Sequence, residues 1–99
     1  MTVYVSIGNS DDKLTQSRWA GFISEVEGQL KGFPFYGAWF SRPDVAWQNA
    51  CWCIDLTDVP APAINRLKHA LSRIADSYQQ DSIAWAEAKT EFITRPADE

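Results

Sequence analysis

The spacing of apolar residues changes period repeatedly along this 99-residue chain, and each change closes one structural element and opens another. Thr2 to Ile7 alternates, with Val3, Val5 and Ile7 on one side and Thr2, Tyr4 and Ser6 on the other, the pattern of a half-buried strand. Gly8-Asn9-Ser10-Asp11-Asp12 breaks that pattern. From Thr15 the period is helical: Trp19, Phe22, Ile23, Val26 and Leu30 form one stripe, and Arg18, Glu25 and Gln29 fall outside it. Thr15 suits the N-cap, Leu14 is placed to pack on Trp19 as a hydrophobic staple, and Gly28 and Gly32 loosen and then end the helix.

Phe35 to Ser41 and Trp47 to Leu56 are the next extended runs, joined by the turn Arg42-Pro43-Asp44, where proline fixes the first bend. Ala50, Trp52, Ile54 and Leu56 share one face of the second run, opposite Trp47, Asn49, Cys51, Cys53 and Asp55. Pro60 and Pro62 open a helix whose apolar stripe is Ile64, Leu67, Leu71, Ile74 and Tyr78. After Gln79-Gln80-Asp81, Ser82 to Ala86 reads as a last strand that extends at most to Ile93. The order strand, helix, strand, strand, helix, strand predicts a ferredoxin-like split βαβ domain (βαββαβ), a four-stranded antiparallel sheet with both helices on one face.

A chain of this length makes one domain, residues 1–93, with 94–99 as a polar tail. Thirteen acidic against nine basic side chains give a formal charge of −4, which argues against nucleic acid because phosphate contacts need a basic footprint. No apolar run approaches the roughly 20 residues that span a bilayer, and Met1 to Ser10 lacks the features of a signal peptide. These features point to a cytoplasmic protein without a membrane partner. Cys51 and Cys53 are the only cysteines; on a strand they share a face about 7 Å apart, too far for an unstrained disulfide and too few for zinc. They read as small apolar groups.

Seven of the thirteen aromatic residues lie between Phe33 and Trp52, on both faces of the predicted hairpin. A half-covered sheet buries one face, so rings on the other require a ligand, a partner subunit or a target protein. With Trp52 and Ile54 turned to the helices, Trp47, Asn49 and Cys51 fall on the open side with Tyr4. They are joined there by one of two alternating sets, Phe35/Trp39 or Tyr36/Phe40. Tyr4, Trp39, Trp47 and Asn49, with Arg42 in the turn, are therefore the candidate binding residues, since rings and an arginine are what a protein-binding surface prefers. Asn49, Gln48 or Tyr4 would orient a bound small molecule.

The other constellations carry less. Asp11 and Asp12 follow the first strand and Asp55 and Asp58 end the third; the split βαβ topology is expected to bring these two strand ends to the same edge of the sheet, where four carboxylates could hold a hard cation such as magnesium. Helix capping by Asp11, Asp12 and Asp58 accounts for the same residues without metal, so no metal site and no cofactor is assigned. Gly8-Asn9-Ser10 lacks the glycine spacing and lysine of a phosphate loop. Arg66, His69 and Arg73 lie opposite the core stripe of the second helix as a solvated basic face, or as a contact for an acidic partner.

The stretches IGNSDDKLTQSRW, GAWFSRPDVAWQNACWC and YQQDSIAWAEA resemble a group of small uncharacterised proteins of actinobacteria and their phages, over nearly the whole chain. The resemblance implies a phage or bacterial cytoplasmic setting and assigns no catalytic residue. Two function classes fit the residues. One is a non-catalytic binding protein, a regulator or inhibitor that takes a protein partner or a small molecule, with sheet-against-sheet homodimerisation as a further use of the open face. The other is a dimeric α+β barrel enzyme of the cofactor-independent monooxygenase or isomerase type, with Trp47, Asn49 and Tyr4 around an aromatic-lined cavity; it rests on fold analogy alone.

Overall fold

The alternation of the first strand and the helical stripes translate directly into burial. In a computed structural model that describes residues 1–9 and 13–97, the chain runs β1 (Thr2–Asn9), α1 (Gln16–Leu30), β2 (Phe35–Phe40), β3 (Gln48–Asp55), α2 (Ala61–Ser77) and β4 (Ala84–Ala88). The strands form one antiparallel sheet in the order β2-β3-β1-β4, the split βαβ arrangement. Val3, Val5 and Ile7 from β1 and Ala50, Trp52 and Ile54 from β3 form one buried cluster with Trp19, Phe22, Val26 and Leu30 of α1 and Leu67, Leu71 and Ile74 of α2. Both helices therefore cover the same face. Among the described residues, no helix lies on the opposite face.

Thr15 caps α1 as expected, its hydroxyl accepting from the Arg18 N–H at 3.2 Å. The helix closes on Lys31 in right-handed geometry, so Gly32 supplies no left-handed cap. The two helices are tied where Tyr78 stacks on Phe22 (centroids 5.1 Å apart) under the Arg18 guanidinium (4.7 Å), which also donates to the Ser77 carbonyl.

β1 runs two residues further than its alternation suggested, and Asn9, fully buried, turns to the core side with Gln48 opposite it. The Asn9 amide donates to the Leu14 carbonyl at 3.0 Å and its oxygen accepts from the Leu14 N–H at 3.0 Å. Gln48 exchanges hydrogen bonds with Gln16 at 2.8 and 2.9 Å and donates to the Pro43 carbonyl. Buried amides persist because each is bonded. Gln48 is thus a structural tie on the helix side and does not orient a ligand on the open face.

The ends of β1 and β3 do not share an edge of the sheet, contrary to expectation. β1 and β3 are antiparallel, with Thr2 opposite Asp55 and Asn9 opposite Gln48, so β1 leaves the sheet at the end opposite to Asp55. Asp11 and Asp12 lie outside the described residues. Asp58 does not cap α2, which begins at Pro60 without a side-chain cap. Instead it occupies a left-handed position (φ 63°) in a turn closed by the Val59 N–H on the Leu56 carbonyl. Among the described residues, no group of acidic, histidine or cysteine side chains could hold a metal ion, and no helix is long and apolar enough to cross a membrane.

Candidate functional site: the open face of the sheet

Parity along β2 is broken by a bulge, and this decides which rings reach the open face. Phe35 pairs with Ile54, yet Gly37 pairs with Cys53, leaving Tyr36 as the extra residue. Beyond the bulge, Ala38 pairs with Trp52 and Phe40 with Ala50 on the helix side, while Trp39 pairs with Cys51 on the open side. Neither alternating set survives intact: the open face takes Tyr36 and Trp39, and Phe35 and Phe40 turn to the helix side. Phe40 meets Trp52 there edge to face at 5.8 Å.

Across the sheet from β2 to β4, the open face reads in rows. One row is Trp39, Cys51, Ser6 and Ala84; the next is Gly37, Cys53, Tyr4 and Ala86; a third holds Asp55, Thr2 and Ala88. Tyr4 is 43% exposed, Trp39 59%, Tyr36 69% and Trp47, just before β3, 71%. Rings of that size are left to water on a face whose only ionised side chain in these rows is Asp55.

Local hydrogen bonds hold the hairpin that presents it. The Val45 N–H closes the turn on the Arg42 carbonyl at 3.3 Å, with Pro43 fixing the first bend. Ser41 and Asn49 bond twice, and the Asn49 amide donates to the Trp47 carbonyl at 2.9 Å, fixing the backbone that carries the indole. Asn49 is therefore engaged within the hairpin. Arg42 pairs with Asp44 at 2.9 Å in full solvent at the tip, a contact of small energetic weight.

The face also has electrostatic texture. The neighbouring Cys53 thiol, hydrogen-bonded to the Tyr4 hydroxyl, pushes the tyrosine pKa above its usual 10.0. Tyr36 donates to Asp55 at 3.1 Å, and that bond raises its pKa in turn. Asp55 also accepts from the Thr57 N–H at 2.9 Å, and these bonds, those to Thr57 first, hold its carboxyl below the ordinary range. Cys51 and Cys53 are free thiols, half-buried between the rings.

Trp39 and Tyr4 are separated by β3, about 10 Å across two strand spacings, so the candidate residues make a broad surface. Arg42 stands apart from them at the tip. Three features were missed in the sequence. The first is a groove of about 710 Å³ at the Asp55 end, lined by Met1, Thr2, Tyr36, Asp55 and, from the chain beyond β4, Phe92. The second is the shelf of Ala84, Ala86 and Ala88 along β4, which the spacing AWAEA could have signalled. The third is a groove of about 520 Å³ between the helices, where the basic stripe Arg66, His69 and Arg73 stands over Ala70 and Ile74. Comparison with protein-family models, curated proteins and solved structures found no match.

Proposed function

We propose that this protein is a small non-catalytic binding protein whose working surface is the open sheet face together with the β2–β3 hairpin. The observation that carries this reading is the set of exposed rings, Tyr4, Tyr36, Trp39 and Trp47, on the face that no helix covers among the described residues. Covering such rings releases their hydration at about 25 cal/mol per Å² of apolar area, so the surface favours association over solvation. The hairpin supports the same use, because the Ser41–Asn49 bonds fix the Trp47 backbone before any partner arrives. In the phage or bacterial cytoplasmic setting implied by the sequence resemblance, this is the behaviour of a regulator or inhibitor that occupies a protein target or a small molecule. A second copy of the chain is a further occupant of the same face.

The reading is tested by capture from an actinobacterial lysate and by a thermal-shift ligand screen, each comparing the native chain with Trp47→Ala and Arg42→Ala. A captured protein or stabilising ligand that is lost with Trp47→Ala is expected. If nothing is bound, or if binding is indifferent to both hairpin variants, the reading is wrong.

A further inference from the structure

Large and small residues are segregated on the open face. Rings stand along β2, and alanines stand along β4 at the opposite edge. A face so divided complements itself when it is turned over. We propose that the occupant of the packed rows is a second copy of this chain, related by a two-fold axis that runs parallel to the strands between β1 and β3. The proposal rests on the reading of the open face as a binding surface and names its partner.

The register defines the contacts. This axis lays β2 of one copy over β4 of the other and β3 over β1, while each row keeps its height. Trp39 then faces Ala84 of the other copy, and Tyr4 faces its Cys53. Packed sheets lie about 10 Å apart, a gap that takes one large and one small side chain but not two indoles. The alternative two-fold, perpendicular to the strands, stacks β2 on β2 and β4 on β4; where it crosses the Trp39 row it opposes two indoles at one edge and leaves a void between alanines at the other.

Charge and area agree with this arrangement. A chain of net charge −4 resists self-association through most of its surface. These rows carry Asp55 as their only ionised group, and the strand-parallel axis sets it against Thr2 of the other copy rather than against its own twin. From strand spacing and rise, the 8, 6, 8 and 5 residues of β1 to β4 cover about 430 Å² in plan. Protruding rings raise the accessible area toward the roughly 800 Å² per partner of a standard interface. Trp47 and Arg42 lie beyond the packed rows and stay free for a target.

Light scattering on a sizing column provides the test. The native protein at micromolar concentration is expected at twice the 11.2 kDa of one chain. Trp39→Ala, which empties the ridge, and Ala84→Trp, which fills the shelf, are each expected to run as monomers. The double variant moves the ridge to the other edge and is expected to regain the dimer. Native circular dichroism confirms that each variant is folded. A native monomer, a dimeric Ala84→Trp protein, or a folded double variant that stays monomeric overturns the proposal. The unsubstituted chain gives a second test, since alkylation of Cys51 and Cys53 slows with rising protein concentration if the faces close, and a concentration-independent rate refutes closure. A native monomer that still loses a captured partner on Trp47→Ala ends the self-association and leaves the binding reading standing.

Discussion

Tyr36 and Asp55 share a hydrogen bond of 3.1 Å at the end of the open face, and it links the bulge of β2 to the last residue of β3. Both groups are held in the protonation states that make the bond. Asp55, whose pKa is lowered below 3.8 first by its bonds to Thr57, contributes stability that is present above its unfolded value and lost as pH falls through the folded one. Tyr36, whose pKa is raised above 10.0, contributes below its unfolded value and loses that contribution as pH rises through the folded one. Asp55→Asn should therefore bring the alkaline ionisation of Tyr36 back toward 10.0 in an absorbance titration, with the Tyr36→Phe protein identifying the band. An unchanged alkaline titration curve would show that the bond does not hold in solution.

The tryptophans of the hairpin divide by burial, and stability should divide with them. Trp52 is fully buried in the core, whereas Trp47 is 71% exposed. Trp52→Ala should cost about 3–5 kcal/mol, as large-to-small core substitutions do. Trp47→Ala should stay within about 0.5 kcal/mol. Urea unfolding of the two variants measures both. Equal losses would mean that Trp47 is covered in solution. Trp52→Phe should fall below the alanine variant in cost, because Trp52 Nε1 is buried without a hydrogen-bond partner among the described residues and phenylalanine removes that donor.

The helices were legible because burial there follows one period. Trp19, Phe22, Val26 and Leu30, and Leu67, Leu71 and Ile74, are buried as their spacing requires. The open face was only half legible. Tyr4, Asn49 and Cys51 follow strand parity, but β2 carries rings at both parities, and the extra residue at Tyr36 reassigns them; Gly37 beside it was the one local sign. Gln48 shares parity with Ala50 and Trp52, yet its polarity suggested the wrong face, since its partners Asn9 and Gln16 are distant in sequence. The expectation that β1 and β3 end at the same edge of the sheet failed for a stricter reason. Antiparallel neighbours exit at opposite ends.

The buried amide tie at that other end of β1 should be sensitive to deletion. Asn9→Ala removes the acceptor of the Leu14 N–H and the donor to the Leu14 carbonyl, leaving buried backbone groups without partners. Such orphaned groups cost about 1–3 kcal/mol each. In a domain of this size each 1 kcal/mol lowers the melting temperature by about 4–8 °C, so calorimetry should record a drop of at least that size. Thr15→Ala, which removes the α1 cap alone, should cost about 1 kcal/mol and serves as the comparison. An Asn9→Ala loss no larger than that would show that the amide does not secure the β1–α1 connection.

Two glycines of α1 should respond to alanine in opposite directions. Both are helical, so each substitution recovers the roughly 0.8–1 kcal/mol by which alanine exceeds glycine in helix propensity. At Gly28 a methyl group meets nothing within 4 Å, and Gly28→Ala should raise stability by about that amount. At Gly21 the same methyl would approach the Tyr78 hydroxyl to 2.8 Å. That hydroxyl is not free to yield: its ring is stacked on Phe22 under Arg18, and its bond to Glu25 is the main cause of its raised pKa. Gly21→Ala must displace the ring that ties α1 to the end of α2, a disturbance of the overpacking kind that typically costs 1–3 kcal/mol and outweighs the propensity gain. Chemical unfolding should rank the proteins Gly28→Ala above native above Gly21→Ala. If Gly21→Ala proves as stable as Gly28→Ala, the Phe22–Tyr78 stack does not hold the helices together.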